Sequence, residues 1–298
     1  MPVAAASVLE DGTVVDELGA HVSTAGGVSN APPRARDIRS LNFQLFTKQP
    51  NRWAEPTLKP QEVAAFAERR KALGIRSVGS HDSYLINLAS PRPDLWERSL
   101  ESFIAELRRC AELELDFLVT HPGNATDGDA ASGIERNAEG ITRALEAAPG
   151  PTRVLVEITA GSGTSVGGRM EHLAAIIDGV AAAVRGRVGV CFDTCHAYSA
   201  GYDLVADYAG VWSEFEDRLG LARLGLFHLN DSQNPFDSRK DRHEHVGEGS
   251  LGEEPFRRIM TDPRFTAIPK VLETPKGDDM VTLDLQNLAR LRSYRAVG

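Results

Sequence analysis

Short runs of β-branched and apolar residues recur at positions 18–22, 42–47, 75–81, 115–121, 153–159, 188–193, 223–229 and 270–274, each followed by a turn-rich stretch. Between them, apolar residues return every three to four positions at 61–73, 95–113, 134–147, 170–184, 204–219, 254–260 and 283–294, the spacing of helices with one buried face. Eight strands alternating with helices is the count of a single (β/α)8 TIM barrel, an α/β fold. The unbroken run Val188-Gly189-Val190-Cys191-Phe192 fits a strand covered on both faces, as a parallel sheet requires.

Polar residues interrupt this pattern in one place on each unit. Seven of the eight strands finish at or near a histidine or carboxylate: His21, His81, His121, Glu157, Asp193, His228 and Glu273. In a barrel of this kind the C-terminal strand ends carry the active site, so the pattern predicts metal-ligand chemistry gathered on one rim.

Length and composition then bound the picture. At 298 residues, slightly above the typical ~250 for the fold, the chain has little room for a second domain, and residues 17–298 are expected to form the barrel. Residues 1–16 are small, acidic and aperiodic, and are expected to be a mobile extension without the basic start and apolar core of a signal peptide. No 18-residue apolar run is present, so no membrane span is expected. The cysteines Cys110, Cys191 and Cys195 suit a reducing cytoplasm rather than a disulfide framework.

A net charge of −9 disfavours nonspecific nucleic-acid binding through the long-range field. The balance is uneven, however. Lys48 and Arg52 follow the second strand and Arg239, Lys240 and Arg242 the seventh, both on the rim of the ligands. Bound cations would also offset many of the carboxylates counted as negative.

Two loop motifs enlarge the ligand set: His196 in Asp193-Thr194-Cys195-His196, and Asp241-Arg242-His243 after strand seven. Setting His21 aside leaves five histidines and four carboxylates, His81, His121, Glu157, Asp193, His196, His228, Asp241, His243 and Glu273. Nitrogen and oxygen donors without thiolate favour zinc, manganese or iron over a structural zinc held by cysteines alone. Each ion needs about three or four protein ligands, so the set suffices for two or three ions, a carboxylate or two bridging. A single strand-end histidine is more often a hydrogen-bonded core residue than a ligand. The joint pattern is different, because burying several unpaired carboxylates together costs on the order of several kcal/mol each unless cations accompany them. Cys191 and Cys195 read as packing residues, and His172 and His245 as facing solvent or supporting other groups.

A phosphate-cradling loop is disfavoured, because Gly161-Ser162-Gly163 and Gly26-Gly27 lack its lysine. Two metals about 3.5–4 Å apart are, by contrast, a recurring arrangement for in-line attack on a phosphoryl centre.

The series Gly19-Ala20-His21-Val22-Ser23, His81-Asp82-Ser83-Tyr84-Leu85-Ile86-Asn87, His121-Pro122-Gly123, Asp193-Thr194-Cys195-His196, His228-Leu229-Asn230-Asp231, Asp241-Arg242-His243, Gly247-Glu248-Gly249 and Leu272-Glu273-Thr274 resembles endonuclease IV, the metal-dependent apurinic/apyrimidinic endonuclease family. The match runs in order from about residue 18 to the last helix. The resemblance implies a TIM barrel with three Zn2+ ions, some places open to Mn2+, that hydrolyses the phosphodiester 5′ to an abasic site in duplex DNA and leaves a 3′-hydroxyl. Removal of blocked 3′ ends is implied as well. By the same resemblance His81, His121 and Glu157 hold one ion, Glu157 bridges to a second held by Asp193, His228 and Glu273, and His196, Asp241 and His243 hold the third. A bridging hydroxide beside Glu157 is the implied nucleophile, with Glu273 helping to orient it. Rate acceleration then comes from charge neutralisation and positioning.

Substrate contacts follow from the resemblance too. An abasic nucleotide is extruded more cheaply than a stacked one, and Tyr84 and Leu85 match residues that the family inserts into the duplex. Asn51 falls where the family commonly has an inserting arginine, with Arg52 displaced by one position; Lys240 is expected to meet phosphate, and His21 to support ligands or touch substrate. Ile158 and Gln233 also depart from the family pattern, at positions that are not ligands. No obligate protein partner is expected. The alternative reading is a TIM-barrel sugar isomerase or epimerase, which would use one or two ions and no third ligand set; a lesion binder without turnover is a third class.

Overall fold

The computed structural model describes residues 7–295. Eight parallel strands, β1 (Leu18–His21), β2 (Asn42–Phe46), β3 (Ser77–His81), β4 (Phe117–Thr120), β5 (Arg153–Glu157), β6 (Val188–Asp193), β7 (Leu224–His228) and β8 (Lys270–Leu272), close into a barrel in which β8 pairs with both β7 and β1. The expected TIM barrel is therefore the observed one. Several strands are shorter than the apolar pattern predicts, because flanking residues bond elsewhere: Leu115 N donates to Cys110 O at 2.8 Å, which ends a helix, and not to a neighbouring strand.

Ten helices surround the strands among the described residues: α1 (Ala31–Asp37), α2 (Pro60–Ala72), α3 (Pro93–Glu112), α4 (Ala130–Ala147), α5 (Met170–Gly179), α6 (Ala182–Arg185), α7 (Thr194–Ser199), α8 (Tyr208–Arg218), α9 (Glu253–Thr261) and α10 (Thr282–Ser293). The helix expected over 170–184 is broken in two. Gly179 and β-branched Val180 are weak helix formers, and the Ala181 amide turns aside to the Thr142 hydroxyl at 3.1 Å. The helix expected from 204 begins at Tyr208, where the Asp207 side chain caps it by accepting from Gly210 N at 2.9 Å. Helix α1 was hidden by Pro32 and Pro33, which a first helical turn accepts because its N–H groups need no intrahelical partner.

Residues 1–6 of the expected extension lie outside the described residues, and residues 7–16 pack against the barrel's cover. Ser7–Val8 and Val14–Val15 pair as an antiparallel hairpin. Thr13 and Asp16 are buried, Asp11 pairs with Arg36, and Asp16 pairs with Arg292 at 2.8 Å. Those ion pairs anchor a stretch that carries too little apolar periodicity to announce itself.

Side chains alternate between the helix-facing and interior sides of each strand. Phe117, Val119, Leu155, Cys191, Leu226 and Val271 form a separate apolar cluster that fills the barrel. Gly79 makes room for it, since a Cβ there would lie 1.8 Å from the Phe117 ring. Val119, Leu155, Cys191, Leu226 and Val271 each precede His121, Glu157, Asp193, His228 or Glu273 by two residues. Period-two alternation therefore stands a polar layer directly on an apolar floor.

Candidate metal centre

Glu157, fully buried at the end of β5, is the hub of this layer. Its Oε2 lies 3.2 Å from His81 Nε2 and 3.0 Å from His121 Nε2, while Oε1 lies 2.9 Å from His228 Nδ1 and 3.3 Å from His196 Nδ1. The two oxygens thus face different groups of donors. His228 Nδ1 also lies 3.2 Å from Glu273 Oε2 and 3.9 Å from Asp193 Oδ2. Farther along the rim, Asp241 Oδ1 lies 3.2 Å from His196 Nε2 and 3.4 Å from His243 Nε2, and His243 Nε2 lies 3.6 Å from Asp193 Oδ2.

Ligand atoms converge within 4.8 Å of one another in three such sets: His81, His121 and Glu157; Glu157, Asp193, His228 and Glu273; and Asp193, His196 and His243. All nine residues expected as ligands reach this rim. The third set differs in detail from the expectation, because Asp193 stands within it and half-exposed Asp241 lies at its edge. Cys191 also comes within that distance of Glu157 and His228, but burial pushes its thiol well above the ordinary value, which opposes the thiolate a metal needs.

Local structure explains how loop residues arrive beside strand ends. Asp193 caps α7 by accepting from His196 N at 2.8 Å, so one candidate ligand doubles as the cap that places the next candidate. After β7, Asp231–Ser232 pairs antiparallel with His243–Glu244, which folds the long loop back over the rim. The Asp231 carboxylate holds that fold by accepting from Ser232 N, Gly249 N and Leu251 N at 2.7–3.0 Å. At Gly249 a Cβ would meet Ser232 O at 2.4 Å.

Other polar groups orient the candidate ligands. Backbone carbonyls of Asp82, Ile158 and Glu273 lie 2.9, 3.0 and 3.1 Å from Nδ1 of His81, His196 and His243, leaving each Nε2 to face the centre. Asn230 donates to Asp193 Oδ2 at 2.7 Å and accepts from Glu273 N at 2.8 Å. Gln44, on the one strand expected to end without a histidine or carboxylate, is fully buried: its Oε1 lies 3.0 Å from His228 Nε2, and its Nε2 donates to Glu273 Oε1 at 2.6 Å. The sequence signal for Gln44 is a polar residue at an inward position of β2, without the histidine or carboxylate that marks the other strands.

Electrostatics mark the centre as a place for cations. Burial opposes charge on the imidazoles, yet the neighbouring carboxylates outweigh it, pushing His81 up to about 10 and His196 and His228 above their ordinary values. Burial would likewise raise Glu157, Glu273 and Asp241, but the surrounding imidazoles hold all three below the usual carboxylate range. The donor set, nitrogen and oxygen with carboxylates in excess of any lysine or arginine partner, fits divalent ions of borderline hardness.

The remaining expected residues frame this centre. His21 lies 3.8 Å from Glu273 Oε1 and 3.2 Å from Gln44 Nε2, and burial pulls its imidazole below the ordinary value. Tyr84 is 61% exposed and stands edge-on to Phe46, with Leu85 half-buried beside it. Asn51, Arg52 and Lys240 are exposed. Lys48 is not part of a basic rim: its side chain is buried against Glu55 at 2.5 Å and Ser102 at 2.8 Å. His172 accepts from Gly167 N at 3.3 Å, and His245 Nδ1 meets Asn287 at 3.0 Å, both outside the cluster. A cleft of about 580 Å³, lined by His21, Tyr84, His243, Glu273, Lys276 and Met280 among others, adjoins the centre.

Comparison with known proteins supplies the context. Residues 35–294 match a family described as a xylose isomerase-like TIM barrel. The chain is 44% identical over 279 residues to a "Probable endonuclease 4" of Chloroflexus aurantiacus, covering 93% of this chain and 97% of that protein. The crystal structure of endonuclease IV from Thermus thermophilus superposes with a TM-score of 0.84 at 37% identity, covering 95% of this chain and all of the other. A D-tagatose 3-epimerase-like protein shares the fold at a TM-score of 0.69 and 15% identity, covering 94% of this chain and 97% of the other.

Proposed function

The chain belongs to the endonuclease IV family, metal-dependent AP endonucleases of DNA repair, and from that premise we propose that it hydrolyses the phosphodiester 5′ to abasic sites in duplex DNA. The products are a 3′-hydroxyl and a 5′ abasic fragment, and the same centre removes blocked 3′ ends. The cofactor is three divalent ions, zinc with manganese able to take some of the places. The observation that carries this reading is three adjoining donor sets, the first two sharing Glu157 and the last two sharing Asp193, which a one-ion or two-ion isomerase would not need.

His81, His121 and Glu157 would hold one ion, Glu157, Asp193, His228 and Glu273 a second, and His196, Asp241 and His243 the third, with Asp193 close to both latter groups. Ions so held supply positive charge to the phosphoryl and leaving oxygens and make a water acidic enough to attack. Glu157 and Glu273 orient that water, and Gln44 and Asn230 fix the Glu273 side chain and backbone. Exposed Tyr84 and half-buried Leu85 enter the duplex beside the lesion. Arg52 and Lys240 meet backbone phosphates, and Asn51 stands where the duplex passes.

A synthetic duplex carrying a tetrahydrofuran abasic analogue tests the reading. A nick directly 5′ to the lesion, abolished by chelator and restored by zinc, is expected. An intact duplex with zinc-loaded protein would refute it, and turnover of a ketohexose instead would favour the epimerase alternative.

A further inference from the structure

Helix α3 carries a polar stripe that nothing in the metal centre uses. Arg98, Ser102, Glu106 and Arg109 recur at intervals of four, four and three residues, on one side of the helix. Arg98 stacks over Trp53 at 4.5 Å. Ser102 donates to Glu55 at 2.6 Å, Arg109 reaches the other Glu55 oxygen at 2.8 Å and Thr47 Oγ1 at 3.0 Å, and Lys48 adds its own bond to Glu55. These partners all lie in residues 47–55, the segment that presents Asn51 and Arg52. Glu106 faces the next loop as well: its Oε1 accepts from Ser83 N at 3.0 Å, and Lys48 Nζ stands 3.8 Å away. Ser83 Oγ then donates to Pro50 O at 2.6 Å. The residue preceding Tyr84 is thereby clasped to the residue preceding Asn51.

The inner part of the cluster is buried, while Glu55 and Arg98 reach the surface. Side chains of Lys48 and Glu106 are 1% exposed and that of Arg109 is 6% exposed. Buried ion pairs of this kind stabilise a fold little better than apolar packing would, and what they add is a defined geometry.

We propose that this cluster, with Glu106 at its centre, is a positioning device that presets the relative placement of the two duplex-reading loops, 48–55 and 82–86, before DNA arrives. Loops that must be ordered on binding cost affinity, whereas loops already held in register do not. Glu106 acts through Ser83 and Lys48 and touches no ligand residue. The proposal rests on the abasic-duplex reading, and its test is built to fail separately from that reading.

Two substrates are compared: the abasic duplex and bis(p-nitrophenyl) phosphate, which needs the metal centre but neither loop. Glu106→Leu is expected to raise KM for the duplex about tenfold, as ordering of a few side chains moves into the binding step, with the small phosphodiester turned over within about twofold of wild type. Glu106→Gln, which keeps an acceptor for Ser83 N, should recover most of the loss. Ser83→Ala, which removes the clasp to Pro50 and the bond the hydroxyl accepts from Leu85 N at 3.3 Å but keeps Ser83 N on Glu106, should show a smaller KM increase and carries the test if Glu106→Leu does not fold. Unchanged KM in Ser83→Ala or in a folded Glu106→Leu, or equal losses on both substrates, would overturn the proposal. If wild type leaves the duplex intact, the function reading fails, and amide exchange then decides the positioning role: faster exchange across 48–55 in Ser83→Ala supports it, and unchanged exchange overturns it.

Discussion

Replacing Glu157 by Gln removes one negative charge and almost no volume. The carboxylate stands 2.9–3.3 Å from four imidazole nitrogens, one pair of donors at each oxygen, with no exposed surface. A unit charge pair at that separation is worth about 5 kcal/mol at an effective dielectric of about 20. An amide oxygen retains part of that as a dipole, so a loss of about 3 kcal/mol is a conservative expectation, or about two orders of magnitude in kcat. The assay is single-turnover cleavage of the abasic duplex at saturating protein, together with metal content after gel filtration. Glu157→Gln should keep the barrel's circular dichroism, bind fewer ions per chain and cleave at least about a hundredfold more slowly. A fully metal-loaded variant cutting within about tenfold of wild type would refute the bridging role, because the charge it lacks would then be one that neither donor group uses.

Three further outcomes follow from the same geometry. Gln44→Leu deprives His228 Nε2 of its acceptor and Glu273 of a donor, and should weaken metal affinity about 10–100-fold, read by competition with a chromogenic chelator; unchanged affinity would make Gln44 mere filler. Arg52→Ala and Lys240→Ala should each weaken duplex binding regardless of sequence and lower the salt dependence by about one phosphate contact, so an unaltered slope would return both to the solvated surface. In chelated protein His81 has a folded value of about 10, burial being outweighed by Glu157, above the unfolded ~6.5. Its contribution is complete below that unfolded value and is lost as pH rises through the folded one. The Tm with chelator present should therefore fall from neutral pH towards pH 10, and a flat profile would contradict the coupling to Glu157.

How much was legible beforehand differs from residue to residue. His81, Glu157, Asp193, His228 and Glu273 could be placed because strand alternation and barrel closure leave an inward-facing strand-end residue one destination. Gln44 obeys the same register but has a neutral side chain, which carries no metal-ligand signature in the sequence. Asp231 was visible only as part of a motif; its work, holding Gly249 and Leu251 so that Asp241 and His243 fold back, depends on contacts 18 and 20 residues away. Lys48 read as a rim cation and is instead buried beneath the rim, since local sequence carries no trace of Glu55 and Ser102 closing over it.

By itself, then, the chain's periodicity determined the barrel, its helical cover and the rim on which polar residues collect, because strand and helix repeats act over a few residues and are written in neighbouring positions. Tertiary structure alone decided which oxygen of Glu157 faces which imidazoles, that Asp193 reaches the third donor set, and that a stripe on α3 sets two loops against each other. Those outcomes depend on distances between residues far apart in sequence. They come into being only when the barrel closes.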